Sequence, residues 1–335
     1  MGGQREDSSV SDADADEARQ ALVRDIAAQG GLTDPAWRAA FEQVPRHLFV
    51  PYYYVHGIRG YERLRADDPD PVRRERWLRG AYGDGPLATR MRDGELISSS
   101  SQPSLMALML DALDVREGHT VLEIGTGPGY NAALLSHRLG DAAVTSVDLD
   151  PEITEPARDH LAAAGHHPVV ITGDGAGGCP QRAPYDRIIA TCTLPSVPPA
   201  WPEQCRTGAR ILAPVATGLV SLEVRETAHA PRAGVKYAEG NFLHTPAYFV
   251  PLRGALLPHD RDQRLGGLPR RALGDDLFRF LLALTADTLD PHEALSLWER
   301  EERPQRERYG ITVAEGRQWA WLDDPQGPYT WALSG

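Results

Sequence analysis

The sequence predicts an α/β fold with a doubly wound, mostly parallel sheet, preceded by an N-terminal helical segment and followed by a small C-terminal appended domain. Two observations predict it: short apolar runs alternate with helical patterns, and the first run ends in a glycine-rich turn. Because strands separated by helices form right-handed βαβ units, their sheet is expected to be mostly parallel. The runs are Thr120–Ile124, Ala143–Val147, Pro168–Thr172, Asp186–Thr191 and Arg210–Val215, and the clearest helices are Tyr130–Arg138 and Pro151–Ala164.

The segment before these runs is polar at first and helical afterwards. Residues 1–15 are acidic and serine-rich, which predicts a disordered tail. Helical patterns follow at Ala18–Ala28 and Pro35–Val44, the second with Asp34 as its N-cap. Residues 60–80 are strongly charged and are expected to form a solvated surface. A catalytic domain is therefore predicted over residues 16–255.

The region after the fifth run changes character twice. The runs LVSLEVRE and NFLHTPAYFVPL lack intervening helices, which predicts an antiparallel edge on the sheet. After Gly254 a linker-like stretch leads into two helical patterns and a hairpin across Glu315 and Gly316. Residues 256–335 are therefore predicted to form an accessory domain.

Composition narrows the function classes. The formal net charge of −12 argues against nucleic-acid or anionic-membrane partners. The N-terminus lacks an apolar signal core and no apolar run reaches about 18 residues, so a cytoplasmic location is expected. The cysteines lack CxxC spacing, which favours neither a disulfide framework nor a zinc site; they are Cys179, Cys192 and Cys205.

The glycine-rich turn VLEIGTGPGYNAALL is the most informative stretch. Its glycines allow positive φ and close approach of a ligand to the backbone. The order E-x-G-x-G-x-G differs from the GxGxxG of dinucleotide sites, and a carboxylate two residues before the first glycine suits a ligand with an ammonium group and no phosphates. S-adenosylmethionine is the predicted cofactor; NAD, FAD or a structural turn are the alternatives. The candidate residues are Glu123, Gly125, Thr126, Gly127 and Gly129.

Two further acidic positions follow the next predicted strands. Asp148, with Leu149 beside it, closes the second strand, where a carboxylate can accept both ribose hydroxyls. Asp174 and Gly175 follow the third strand, where the carboxylate can accept a hydrogen bond from an adenine amino group. The alternative for either aspartate is a helix cap or turn residue.

A serine run, ISSSSQPSLMALML, precedes the glycine-rich turn. Apolar residues at helical spacing follow Pro103, which suits the first helical position, and Gln102 or Ser101 can serve as the cap. We therefore expect a loop that enters a helix, whose free amides favour an anionic carboxylate near the hydroxyls.

Several collinear stretches together resemble the protein-L-isoaspartate O-methyltransferase family. They are FEQVPRHLFVP, AYGDGPL, SQPSLMALMLDALDVREGHTVLEIGTGPGY, GDGAGGCPQRAPYDRIIAT and FVPLRG, which span roughly Leu32 to Gly254. The resemblance implies the fold of class I S-adenosylmethionine-dependent methyltransferases and methyl transfer to a peptide carboxylate. It also implies that Ser101, at the position of the family's serine, holds that carboxylate, with Ser98, Ser99 and Ser100 as neighbours.

The chain departs from the family pattern in three places. Ser99-Ser100-Ser101 replaces Thr-Ile-Ser, an insertion lies between Tyr52 and Glu95, and the tail follows Gly254. These departures are similar to an actinobacterial branch that acts on ribosomally made, modified peptides such as lanthipeptides, lasso peptides and graspetides. That resemblance implies methylation of an Asp in a ring-bearing precursor peptide, after which the ester collapses to an aspartimide. General repair of isoaspartyl residues is the alternative.

Methylation of a carboxylate does not require a general acid or base from the protein. A carboxylate is already ionised at neutral pH, so positioning and desolvation are the main requirements and no metal is expected. The histidines lack metal-ligand spacing and are expected to be surface or packing residues; they are His56, His160, His166, His167 and His244. Four tail tryptophans are expected to form either a peptide groove or a small aromatic core; they are Trp298, Trp319, Trp321 and Trp331.

Overall fold

The computed structural model describes residues 11–57, 60–227, 234–252 and 265–333. The chain divides into two compact units, one of Met1–Gly118 with Thr126–Gly173 and the other of His119–Gly125 with Asp174–Gly335. The predicted boundary at residue 255 and the first ten residues of the predicted disordered tail lie outside the described residues. No helix in the described ranges is both long and apolar enough to cross a bilayer.

The helices of the first unit begin at side-chain caps that the sequence displays. Ser11 accepts a hydrogen bond from the Asp14 amide, so the first helix begins at Asp12 and the prediction of disorder to residue 15 is wrong for its last residues. Asp34 caps the second helix as predicted. These helices are α1 (Asp12–Ala28), α2 (Pro35–Gln43), α3 (Pro71–Ala81), α4 (Pro103–Leu113), α5 (Tyr130–Leu139) and α6 (Pro151–Ala163).

A four-stranded antiparallel sheet forms within the first unit. Its strands are β1 (Tyr52–Gly57), β2 (Gly60–Arg65), β3 (Leu87–Arg92) and β4 (Glu95–Ser100), in the order β2-β1-β3-β4. The charged stretch 60–80 thus contains β2 and α3, which pack together, with Glu62 of β2 paired to Arg73 and Arg76 of α3. Tyr53 of the neighbouring strand β1 also contacts α3, since its hydroxyl donates to the Trp77 carbonyl (2.9 Å). The prediction of a loop for the serine run is also wrong, because Ser98–Ser100 pair with β3.

The first unit also contains one parallel strand pair. Strand β6 (Val144–Asp148) pairs in parallel with β7 (Val169–Thr172), and α5 and α6 pack against them. Four consecutive residues of β6, 144–147, are buried, as expected for a strand covered on both faces. The two predicted runs and the two predicted helices of this region are confirmed to within one residue or so at their ends.

The second unit contains the remaining strands. They are β5 (Val121–Ile124), β8 (Tyr185–Ala190), β9 (Cys205–Val215), β10 (Gly218–Glu226), β11 (Lys236–Pro246), β12 (Tyr309–Ala314), β13 (Arg317–Leu322) and β14 (Thr330–Ala332). Strands β5, β8 and β9 are parallel, and β9 to β14 are antiparallel neighbours in that sequence. Its helices are α7 (Ala200–Glu203), α8 (Arg270–Leu273), α9 (Asp276–Leu284) and α10 (Pro291–Arg300).

The tail strands continue the sheet of the second unit. Strand β12 pairs with β11, so the antiparallel part extends past the predicted edge and the tail hairpin does not stand apart from the strands before residue 255. The predicted turn is confirmed, because Glu315 and Gly316 link β12 and β13 with positive φ values of 51° and 73°. Three of the tail tryptophans are buried in the core and the fourth is half-buried beside a cavity of about 660 Å³; the buried ones are Trp298, Trp321 and Trp331, and the fourth is Trp319.

Replacing Gly310 in β12 tests this extension of the sheet. An added Cβ at Gly310 would overlap the indole ring of Trp321, so Gly310→Ala should lower the free energy of unfolding by about 1–3 kcal/mol. Chemical denaturation followed by tryptophan fluorescence measures it. Gly266→Ala, at a tail position where the added Cβ meets nothing within 4 Å, is the matched control. Equal stability of the two variants would contradict the packing of β12 against β13.

Candidate active site

The first part of the glycine-rich turn lies in the second unit and is fixed by Thr191. The Thr191 hydroxyl donates to the Gly125 carbonyl (2.7 Å), and its amide donates to the Ile124 carbonyl (2.9 Å). Gly125 has a φ of +96°, and a Cβ there would lie 2.8 Å from the Thr191 hydroxyl oxygen. Glu123, in the preceding strand, is fully buried. Sequence reasoning missed Thr191, although it stands at the end of the run DRIIAT, where a strand-end residue meets its parallel neighbour.

The second part of the turn lies in the first unit and is tied to Asp148. The Gly127 amide donates to the Asp148 carboxylate (3.1 Å), and the Thr126 hydroxyl is hydrogen-bonded to that of Ser146 (2.7 Å). Gly129 is the N-cap residue of α5 with a φ of +95°, and a Cβ there would contact Leu161 and Ala157 of α6. The predicted ribose ligand Asp148 therefore also orders the turn, and Leu149 beside it is 42% exposed.

The third predicted acidic position also carries a structural hydrogen bond. One carboxylate oxygen of Asp174 accepts the amide of Ala176 (2.9 Å), while the side chain is exposed to solvent. A Cβ at Gly175 would lie 2.5 Å from a methyl carbon of Ile124, and the Gly175 carbonyl accepts the indole N–H of Trp201 (2.9 Å). The cap function that the sequence left open is thus present, and Gly175 is required by close packing.

These residues suit a nucleoside ligand that carries a positive charge. Glycines at positions 125 and 127 have positive φ, which leaves their backbone open to a close approach. The turn from 125 to 129 contains no basic residue, and the aspartates at 148 and 174 each follow or close a strand. Within the first unit, a pyrophosphate at Gly127 would meet the Asp148 carboxylate, whereas sugar hydroxyls would meet an acceptor there.

The serine run divides by side-chain environment. Ser98 is 7% exposed and accepts a hydrogen bond from the Thr89 hydroxyl (3.1 Å), and Ser100 is 2% exposed and faces Arg46 (3.4 Å). Ser99 and Ser101 are half-buried, and neither hydroxyl has a hydrogen-bond partner within the described part of the chain. Of the four serines, these two are therefore available to a substrate.

The serine strand lies against the glycine-rich turn within the first unit. A Cβ at Gly127 would lie 3.3 Å from the Ser99 carbonyl oxygen and 3.7 Å from the Ser98 hydroxyl oxygen. Any side chain at position 127 would therefore press on β4. This contact brings the predicted substrate residues and part of the predicted cofactor residues together, as a methyl transfer requires.

Arg46 holds the end of the serine run in place through hydrogen bonds. The sequence analysis did not identify this residue. Its guanidinium is fully buried and lies over the ring of Tyr130, with 6.0 Å from Cζ to the ring centroid. It donates to the carbonyl oxygens of Ala81 (2.9 Å), Gly83 (3.0 Å), Gly85 (3.1 Å) and Ser101 (3.2 Å), and to the hydroxyl of Ser100. Burial lowers the pKa of Arg46 to about 10, so the group stays charged at neutral pH. It forms no ion pair within the described residues.

The N-terminus of α4 is capped by Asp84. Its carboxylate accepts the Ser104 amide (2.9 Å), whereas the predicted cap Gln102 makes no side-chain cap and instead donates to the Ser104 hydroxyl (3.0 Å). Gln102 therefore occupies the expected N-cap position, but the side-chain cap comes from a carboxylate 20 residues before Ser104 in the chain, which is the stronger acceptor for the amide. The Asp84 carboxylate also partly neutralises the positive potential of the α4 N-terminus, which was expected to attract the substrate carboxylate.

Ion pairs connect the strand beside the serines to the start of α6. Arg92 contacts Asp150 and Glu152 (2.9 Å each), and Arg90 also pairs with Glu152. Because α6 starts two residues after Leu149, these pairs connect β3 to the end of β6 that carries Asp148.

Two of the histidines that were expected to be surface or packing residues, His160 and His244, contact other groups of the protein. His160 is hydrogen-bonded to the Pro128 carbonyl (3.0 Å), and burial lowers its pKa, which favours the neutral ring at that contact. His244 lies 3.0 Å from Glu307 on the surface. No group of three or more His, Cys, Asp or Glu side chains that could hold a metal occurs among the described residues.

Comparisons with known proteins identify the family. The family model described as protein-L-isoaspartate(D-aspartate) O-methyltransferase matches residues 69–252, more than half of the chain. Protein-L-isoaspartate O-methyltransferase 1 of Archaeoglobus fulgidus is 35% identical over 237 residues, which cover 70% of this chain and 95% of that protein. The chain belongs to the protein-L-isoaspartate O-methyltransferase family. It is therefore a carboxyl O-methyltransferase with S-adenosylmethionine as its methyl donor. The alternative prediction of NAD or FAD as the cofactor is wrong.

Other comparisons support the same family and fold. The protein-L-isoaspartate O-methyltransferase of Methanococcoides burtonii is 34% identical over 238 residues, 70% of this chain and 98% of that protein. A solved structure of a protein-L-isoaspartate O-methyltransferase has a TM-score of 0.61 at 22% identity and covers 94% of this chain and 98% of its own. The predicted class I methyltransferase fold is thus confirmed. Residues 1–254 alone could not supply that coverage, so the fold likeness extends into the tail.

Replacing Arg46 tests its hold on the serine run. Arg46→Lys keeps the charge but loses the planar set of five donors, so at least one or two buried acceptors lose their partners. We expect a loss of about 2–4 kcal/mol in the free energy of unfolding, measured by chemical denaturation. Arg38→Lys, at an exposed position on α2 that pairs with Glu42, should change it by less than about 0.5 kcal/mol. Similar losses in both variants would contradict this role.

Proposed function

We propose that this methyltransferase acts on the carboxylate of isoaspartyl residues in polypeptides, the activity for which its relatives are named. The observation that carries the proposal for this chain is the contact between β4 and the glycine-rich turn. The Ser99 and Ser101 hydroxyls have no hydrogen-bond partner among the described residues, and Arg46 supplies a fixed positive charge next to Ser100 and Ser101.

The residues of the chain have positioning roles in this reaction. S-adenosylmethionine supplies the electrophilic methyl group. Ser101 donates a hydrogen bond to one oxygen of the substrate carboxylate, so that the other oxygen is oriented for in-line attack. Since the carboxylate is already ionised, no side chain needs to remove a proton. The buried charge of Arg46 favours the anion electrostatically without touching it.

The cofactor roles follow the chemistry of each side chain. We assign the Asp148 carboxylate to the ribose hydroxyls, Asp174 to the adenine amino group and Glu123 to the positively charged end of the cofactor. The glycines from 125 to 129 and at 175 admit the cofactor to the backbone, with Thr126 and Leu149 beside it. The support is that each lies in or next to the turn or at the end of a parallel strand, where such ligands bind.

A narrower substrate is a second candidate: an ordinary Asp in a ring-bearing precursor peptide. Two features favour it, the serines that replace Thr-Ile-Ser and the hairpin of β1 and β2, which precedes residue 69 where the family match begins. The tail favours it less, since the solved relative shares the fold there. After methylation, the next backbone nitrogen of the peptide would attack the ester carbonyl, forming an aspartimide and releasing methanol.

Three synthetic peptides of one sequence decide between these substrates. One is linear with isoaspartate, one is linear with aspartate, and one carries aspartate in a side-chain lactam ring; mass spectrometry measures gain of one methyl group. We expect turnover of the linear isoaspartyl peptide. Turnover of the cyclised aspartyl peptide alone would favour the precursor role, and no methyl gain in any peptide would overturn both.

Ser101→Ala tests the carboxylate contact. Loss of one hydrogen bond to a charged group should lower kcat/KM for the accepted peptide about 10-fold to 100-fold. Affinity for S-adenosylhomocysteine, measured by calorimetry, should change less than about twofold. Ser104→Ala, on the first turn of α4, is the control that should keep both values near wild type. A complete loss of cofactor binding in Ser101→Ala would contradict the assignment.

Asp148→Asn tests the cofactor assignment. The amide offers a single acceptor oxygen and no charge, so it cannot serve the Gly127 amide and two ribose hydroxyls equally well. We expect at least a roughly tenfold loss of affinity for S-adenosylhomocysteine in calorimetry. Asp159→Asn, exposed on α6, is the matched control. Equal affinity of the two variants would remove Asp148 from the cofactor site.

A further inference from the structure

One face of the hairpin formed by β1 and β2 carries aromatic and basic side chains that the methyl-transfer site does not use. Directly opposed residues on antiparallel strands share a face, and the opposed pairs here place six such side chains together. We call this surface the tyrosine–arginine face. It consists of Tyr52, Tyr54, His56, Tyr61, Arg63 and Arg65.

The opposite face of the same hairpin is a packed interface. Tyr53 and Leu64 are buried there, and Glu62 pairs with Arg73 and Arg76 of α3. The alternation of the strands therefore separates a core side from a solvent side. The tyrosine–arginine face is the solvent side, with Tyr61 54% exposed and His56 and Arg63 exposed as well.

Ring contacts preorganise the exposed side chains. Tyr52 and Tyr54 form an edge-to-face pair with centroids 6.1 Å apart, and the rings of His56 and Tyr61 are 4.7 Å apart. The guanidinium of Arg63 lies over Tyr52, 5.4 Å from its centroid. Since these side chains hold one another in place, a partner that binds them loses less conformational entropy.

The charge of this surface differs in sign from that of the whole chain. Arg65 is paired with Asp67 (3.0 Å), but Arg63 forms no ion pair within the described part of the chain. The net charge of the whole protein is −12, so a surface with an unpaired arginine is unusual on it. The guanidinium of Arg63 can bind a carboxylate, and the tyrosines around it can stack on an aromatic ring next to that carboxylate.

The register of the sheet connects this face to the serine run. Arg63 opposes Tyr54, Tyr54 opposes Ala88, and Ala88 opposes Ser99, so these residues form one cross-strand row. Three strand spacings of about 4.8 Å give roughly 14 Å from Arg63 to Ser99, which an extended peptide covers in about four residues. The Ser99 carbonyl in turn lies at the Gly127 position of the turn.

We infer that the tyrosine–arginine face binds the polypeptide segment that flanks the acceptor residue, with selectivity for an acidic side chain about four residues from it. The inference rests on the proposed function, because it places the acceptor at Ser99 and Ser101. The hairpin selects which acceptor sites are methylated, and the site beside β4 carries out the transfer.

A peptide series tests the spacing. Linear isoaspartyl peptides with a Glu-Glu pair two, four or seven residues from the acceptor, on either side, are compared with a Gln-Gln peptide. Binding is measured by fluorescence anisotropy with S-adenosylhomocysteine present, and methyl transfer is measured separately. We expect the four-residue spacing to bind most tightly. Arg63→Glu should weaken that peptide about fivefold or more while leaving the Gln-Gln peptide unchanged.

Arg79→Glu supplies the matched control, since it makes the same charge change on α3 and should alter binding less than twofold. Equal effects of the two variants, or affinity that ignores spacing, would overturn the inference. The inference would also be overturned if Arg63→Glu changed the sedimentation coefficient but not the peptide affinity. That result would mean that the face is an interface between copies of the chain. Methylation of the Gln-Gln peptide by the wild type tests the proposed function separately. The anisotropy measurement tests peptide binding to the tyrosine–arginine face even if no methyl transfer occurs.

Discussion

The buried guanidinium of Arg46 is the constraint on which the substrate side of the site depends. Its donors join the segment 81–85 to the end of β4, two pieces of chain that no regular ladder connects at that point. Carbonyl oxygens can be left in a buried position only if donors reach them. One planar side chain meets that requirement for four carbonyls at once, and the serine run takes its position from it.

Much of the fold could be predicted because its signals are local. Asp34 before a proline and Glu315-Gly316 between two strand patterns need only neighbouring residues to act, and both predictions are confirmed. The strand at the serine run is not visible in the sequence, because serine has no strand preference and the pairing with β3 comes from the tertiary structure. Arg46 and the pairing of β11 with β12 depend on contacts 35 or more residues apart, which periodicity does not report.

The site residues show a related division. The residue types at 123, 125, 148 and 174 could be chosen from the sequence, since strand ends and glycine spacing mark them. The sequence could not show that Ser98 and Ser100 are buried whereas Ser99 and Ser101 are half-buried. This difference follows from the alternation of side chains along a strand, and a loop was predicted there. Thr191 and Asp84 were missed as supports, and His160 was expected only as a surface or packing residue, because each acts on the backbone of another segment. Ordinary polar residues thus hold the turn and the helix in place.

The unpaired charge of Arg46 has a consequence for turnover. The substrate arrives as an anion and leaves as a neutral ester, while the guanidinium beneath Ser100 and Ser101 keeps its charge throughout. The electrostatic attraction that helps bring the carboxylate in is therefore cancelled by the methyl group itself. In the proposed reaction, methylation neutralises the substrate, so the charge of Arg46 favours the bound substrate over the bound product.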